Sequence, residues 1–196
     1  MSKDCNQVQD LVGAAIETGY PIKISRRGAR KLDKIEGFPL AGSRKWLLLQ
    51  RIDCAYWALD GYVALRISDI SRMKRLDAKD EFEIRVLRHF GEAEPRRLPK
   101  VDVTSTNSIV TTVGARFPLI TLFVDEDETA CFIGQPLHAT GTTLKWLQIQ
   151  PGARWDLKPK TLDLKTVTRI DFGTRYERAL AALGGNPEAP TILETK

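Results

Sequence analysis

A shift of 97 residues lays one part of this chain over another. Tyr20-Pro21 through Met73 falls on Phe117-Pro118 through Ile170 without a gap. Gly37 meets Gly134, Pro39-Leu40 meets Pro136-Leu137, and Leu47, Ile52, Leu65 and Arg72 meet Leu144, Ile149, Leu162 and Arg169. With Pro21 and Pro118 these make eight identities in 54 positions, where about three follow from composition alone. Ile67, Ile70 and Met73 face Leu164, Val167 and Ile170, so the apolar pattern repeats as well. A long period present twice predicts a duplicated small domain; a solenoid needs about three or more short units.

The 196 residues suit one or two domains of about 100 residues each. Each half can bury only a modest core, so the two cores are expected to pack together. No run approaches the roughly 18 apolar residues of a membrane span. The polar start, Met1 to Asn6, predicts no signal peptide. Cys5, Cys54 and Cys131 are odd in number and have no close pair, which predicts buried, inert thiols in a reducing cytoplasm. The net charge of +5 is uneven: residues 1–100 hold 20 Lys/Arg against 14 Asp/Glu, and the remainder 10 against 11. Such an asymmetry concerns partners rather than fold.

Periodicity predicts the elements. Val8, Leu11, Val12, Ala15 and Ile16 form one helical stripe over about residues 5–18, with Gly19 as its stop. A period of two then predicts strands at Ile22–Ile24, Ile35–Leu40, Trp46–Ile52, Gly61–Ile67 and Ile70–Met73. The run Trp46-Leu47-Leu48-Leu49 predicts burial on both faces. The second copy repeats the order at Leu119–Val124, Cys131–Leu137, Thr143–Ile149, Lys160–Leu164 and Val167–Phe172, behind a helix around Ile109 and Val113. A helix follows each set. One spans about 80–90, with a stripe of Phe82, Val86, His89 and Phe90. The other spans about 175–183, with a stripe of Tyr176, Ala179, Leu180 and Leu183 behind a Thr174–Glu177 capping box. Five short strands on one small core predict a closed or nearly closed barrel in each half. The expected fold is therefore mainly β with flanking helices (α+β). Its units are 1–95, 101–185 and a tail at 186–196.

The segments Ile35-Glu36-Gly37-Phe38-Pro39-Leu40 with Trp46-Leu47-Leu48-Leu49, and Ile133-Gly134-Gln135-Pro136-Leu137 with Leu144-Lys145-Trp146, resemble the bent second strand and the third strand of Sm-like and related SH3-like small barrels. The resemblance spans about residues 4–185. Over that stretch the chain is also similar to bacterial hypothetical proteins with phrases like Leu59–Arg66 and Thr168–Gly173. It implies two tandem five-stranded barrels. In Sm proteins an Ile-Arg-Gly or Lys-Gly turn before the last strand helps line an RNA pocket; that signature is missing here, and Ser68-Asp69 and Lys165-Thr166 stand in its place.

Residues able to carry chemistry are few. His89 and His138 share no position between the copies, which argues against a His-based triad or a metal site. Glycine-rich phosphate loops and the Gly-x-Ser-x-Gly elbow are missing from the sequence. No catalytic residue, cofactor or metal is expected. The candidate binding residues are the basic run Lys23, Arg26, Arg27, Arg30, Lys31 and Lys34, the aromatic Trp57, and the acidic run Asp125, Glu126, Asp127 and Glu128. The basic run could contact phosphates or lie in solvent. The two runs fall on the same loop of the two copies, so opposite charges could pair within a chain or between chains. The expectation is a cytoplasmic, non-enzymatic binding or assembly protein, foremost a protein-interaction module or self-associating chain. The alternative is RNA or DNA binding through the basic face of the first copy.

Overall fold

The computed structural model describes residues 3–26, 34–76, 82–92, 94–95, 100–125 and 127–187; the side chains of 3–7 and 127–130 lie outside that description. The first half runs α1 (Lys3–Thr18), β1 (Ile22–Arg26), β2 (Lys34–Gly42), β3 (Trp46–Asp53), β4 (Ala58–Arg66), a 3-10 turn (Ile67–Asp69), β5 (Ile70–Arg75) and α2 (Phe82–His89). The second runs α3 (Thr106–Gly114), β6 (Ile120–Val124), β7 (Asp127–Ala139), β8 (Thr143–Gln150), β9 (Arg154–Trp155), β10 (Lys160–Asp163), β11 (Val167–Phe172) and α4 (Arg175–Gly184). No described helix is long and apolar enough to cross a membrane.

The strands form one antiparallel sheet in the order β10-β8-β7-β6-β11-β4-β3-β2-β1-β5, with β9 on β8. The fold is α+β with β dominant. The expected closure is not seen. β4 pairs with β11 of the other half and not with β5, so the sheet stays open and ends on β5 and β10. Each half has the same internal order, fourth strand to fifth by way of the third, second and first. The halves follow one another head to tail, not about a twofold axis.

Pairing registers repeat with the order. Leu47 faces Leu65 as Leu144 faces Leu162. β2 bulges between Pro39 and Ala41, and β7 between Pro136 and His138, so Leu40 and Leu137 hold the same irregular position. Gly37 and Gly134 share one steric cause. A Cβ on Gly37 would stand 2.3 Å from the Gln50 carbonyl oxygen, and on Gly134 2.3 Å from that of Leu147. Only glycine tolerates such a backbone approach. The 97-residue register slips at the first strand. Ile22 faces Gly37, but Ile120 faces Gly134, so β6 lies 98 residues from β1. The chain from Ile120 to Gly134 is one residue shorter than that from Ile22 to Gly37, which accounts for the difference. The counterpart of β4 is broken into β9 and β10 by Asp156–Pro159.

The apolar run in β3 is buried on both faces. Leu47 and Leu49 pack with Val12, Ala15, Ile22, Ile24, Val63 and Leu65 in the core of the first half. Trp46 and Leu48 join Ile109, Val113, Leu122, Trp146 and Phe172 in the core of the second. The halves therefore share a sheet and part of a core. The helix stripes need correction. In α2 the buried side is Ile84 and Leu87, packed on Phe38, Ile52, Leu59 and Leu76, while Phe82, His89 and Phe90 are exposed. In α4 the buried residues are Glu177 and Leu180; Tyr176 and Leu183 are exposed. Both helices carry apolar groups on two sides, and the side facing the sheet is set by the strand ends beneath them. The Thr174–Glu177 capping box forms as expected.

Candidate functional site

The basic run does not gather into one solvated face among the described residues. Lys23 lies opposite Glu36 across β1 and β2 and forms an ion pair with it. That hydrogen bond holds the Lys23 ammonium above its usual range, against partial burial. Arg26 is buried, with Nη2 3.8 Å from Asp69 Oδ2. Lys34 is exposed at the start of β2; Arg27, Arg30 and Lys31 lie outside the described residues. In the acidic run, Asp125 takes two bonds from Arg66, Nη2 to Oδ1 at 2.6 Å and Nη1 to Oδ2 at 3.1 Å. Glu126 and the side chains of Asp127 and Glu128 lie outside the description. Arg66 also donates from Nε to Asp69 Oδ2 at 2.8 Å. Arg26, Asp69, Arg66 and Asp125 thus form one chain of charges across the junction of the halves.

Trp57 sits in the β3–β4 turn with φ 48° and meets Phe82 edge-on at 5.5 Å. It is 40% exposed, and Tyr56 beside it 69%. The cysteines differ from expectation, since Cys54 and Cys131 are both exposed residues. Burial of the sulfur, then nearby Glu36, pushes the Cys54 thiol up to about 11. Burial and the Asp171 carboxylate push Cys131 up as well. Both thiols are therefore poor nucleophiles near neutral pH.

Where β4 meets β11 there is a cleft of about 700 Å³ that sequence reasoning missed. Its floor is charged. Arg169 holds Asp171 bidentately, Nε to Oδ1 at 2.6 Å and Nη2 to Oδ2 at 2.5 Å, and lies 4.5 Å over the Phe123 ring. Arg51 reaches across from β3 with Nη1 3.7 Å from Asp171, and Nη2 3.5 Å from Asp60 and 3.6 Å from Asp53. Asp60 Oδ1 accepts from the Arg175 backbone N–H at 2.8 Å, so a carboxylate of the first half sits on the N-terminus of α4. Beneath that helix start, Glu177 accepts from Thr121 Oγ1 at 2.5 Å and from the Thr174 N–H at 3.0 Å. Burial raises the Glu177 carboxyl to about 7 against those bonds. At the mouth stand Tyr56 and Tyr176, with the Arg175 guanidinium 5.8 Å from the Tyr56 ring. Among the described residues no group of three His, Cys, Asp or Glu could hold a metal.

The signals for this site were present but weak. Arg72 and Arg169 are identical in the 97-residue register, and Arg169 and Asp171 alternate with apolar residues in a strand buried throughout. Nothing local says that β4 brings Arg51 and Asp60 to them.

A second cavity, of about 490 Å³, opens where the β2–β3, β4–β5, β7–β8 and β10–β11 turns meet the start of α3. It presents Arg44, Lys45, Arg66 and Lys165 beside Ser68 and Asn107. No family model, curated protein or solved structure matches the chain.

Proposed function

We propose that this chain is a cytoplasmic, non-enzymatic binding and assembly protein, and that its foremost role is protein interaction through the cleft at the β4–β11 junction. One observation carries the reading. Exposed Tyr56, Trp57 and Tyr176 stand around or beside a cleft floored by Arg51 and Arg169. Tyr, Trp and Arg are the residues that dominate interface energetics, because each brings area and a polar handle. In this reading each half is an Sm-like or SH3-like five-stranded unit, duplicated and opened where it joins the other. Co-purification from the native cell tests it, comparing the parent with a Tyr56→Ser, Tyr176→Ser variant, each with and without nuclease. The expected result is a protein retained by the parent, resistant to nuclease and lost from the variant. Equal retention by parent and variant would overturn it.

A second reading, RNA or DNA binding, draws on the four cations of the turn cavity. Ser68 and Lys165, which stand where Sm proteins carry a different turn, line that cavity. Lys23, Arg26, Arg27, Arg30, Lys31 and Lys34 remain its other candidates. Oligonucleotide affinity should then fall steeply with salt, and Arg44→Ala with Lys45→Ala should weaken all sequences alike. No binding at low ionic strength removes this reading.

A further inference from the structure

β5 and β11 hold the same place in the two halves. Each pairs antiparallel with the first strand of its half, β1 or β6. The other edge of β11 is occupied by β4, from Phe172 opposite Tyr62 to Arg169 opposite Leu65. The other edge of β5 meets no strand among the described residues. The molecule itself thus shows what an edge of this kind accepts, namely an antiparallel strand.

Charge indicates which strand. In the junction, Asp171 on β11 faces Arg51 of the incoming sheet at 3.7 Å. The 97-residue shift takes Asp171 to Lys74, so the sign is reversed on the open edge. Arg72 and Arg75 flank it, and all three are exposed. The Arg75 guanidinium lies 3.4 Å over the Tyr20 ring. Beside the strand, Leu11, Ala15, Thr18, Tyr20 and Met73 line a groove of about 160 Å³, room for an apolar side chain.

We propose that the outer edge of β5 docks an extended, acidic segment of a partner protein as an added antiparallel strand. Its carboxylates would face Arg72 and Lys74, and an intervening apolar residue on the opposite face would enter the groove beside Met73 and Arg75. Main-chain bonds supply affinity in such an addition, and alternate side chains supply specificity. A second copy of this chain fits badly. Carrying the junction register over sets Lys74 opposite Lys160 and Arg75 opposite Pro159, a like-charge pair beside a residue with no N–H. A phosphate backbone would answer the cations but would leave the outward N–H and C=O groups of β5 without a strand. This docking edge is separate from the cleft, so the two stand or fall independently.

The test is fluorescence anisotropy of labelled peptides with the full chain. The probes are an alternating Glu-Val heptapeptide, the same peptide N-methylated at alternate residues, and a Lys-Val counterpart. The Glu-Val peptide should bind and the Lys-Val peptide should not. N-methylation should weaken binding at least tenfold. Arg72→Glu with Lys74→Glu should do the same in a variant that still melts cooperatively, and Lys160→Glu should bind like the parent. Equal binding of the N-methylated peptide would show charge attraction without strand addition and overturn the proposal. So would full binding by the charge-reversed variant, or displacement by a short oligothymidylate at lower concentration than unlabelled Glu-Val peptide.

Discussion

Replacing Glu177 by Gln should stabilise the protein above neutral pH and leave it unchanged in acid. Burial raises this carboxyl from an ordinary 4.5 to about 7 in the folded chain. Between those values the folded state binds more protons than the unfolded state, so stability falls as pH rises. The contribution is fully present below about pH 4.5 and lost as pH passes 7. A displacement of that size corresponds to on the order of 3 kcal/mol. The substituted amide would mimic the protonated acid. Its carbonyl can accept from the Thr174 N–H, and its NH2 group can donate to Thr121 Oγ1, which would turn from donor to acceptor. For a chain of this length the gain at pH 8 is roughly 6–12 °C in melting temperature as an upper bound. The assay is thermal melting of parent and variant at pH 5, 6, 7 and 8. Taking the difference at each pH cancels the other titrating groups. A difference that stays constant from pH 5 to 8 would refute the assignment, and so would one that favours the parent at pH 8.

Gly37→Ala and Gly134→Ala should each lower stability by about 1–3 kcal/mol or more in chemical denaturation, because each new Cβ would strike a carbonyl 2.3 Å away. Leu65→Ala should cost about 2–5 kcal/mol from a fully buried site. Leu162→Ala, at the partly buried counterpart on β10, should cost under about 2 kcal/mol by the same assay. Lys74→Glu with Pro159→Val should convert the parent into a concentration-dependent head-to-tail oligomer in sedimentation, since it removes the like charge and restores an N–H.

Much of the strand order was legible because the 97-residue shift marks the same bulge, the same crowded glycine and the same Leu–Leu pair twice. Of the leucines and isoleucines identical in that shift, Leu47, Ile52, Leu65, Leu144 and Ile149 are buried, and Leu162 is only partly buried because β10 is a sheet edge. The one-residue slip at β6 was hidden, since Leu119 and Ile120 are both apolar and either suits the first strand. Barrel closure failed as an expectation for a physical reason. Local period gives the faces of a strand but not the neighbour its edge will take, and β4 takes β11. The same pairing concealed the cleft, whose charges come from β3, β4, β11 and α4. None of the described candidates read from the sequence lines it; Trp57 adjoins Tyr56, which does.

The charge imbalance between the halves has a structural cause at this junction. Arg72, Lys74 and Arg75 of β5 correspond to Arg169, Asp171 and Phe172 of β11. On β11 these positions lie inside, so one cation is neutralised by its own neighbour, one position has become the acid that receives Arg51, and one is a fully buried ring. On β5 the equivalent positions meet solvent and are all basic. A duplicated unit joined head to tail has one such edge sealed and one open. The sealed edge needs complementary charges and apolar area, and the open edge must resist joining a further copy. Like charge on β5 and β10 does that at little cost to folding, because exposed charges are weakly coupled. The excess of cations in the first half is thus partly the consequence of which β5-type edge was left open.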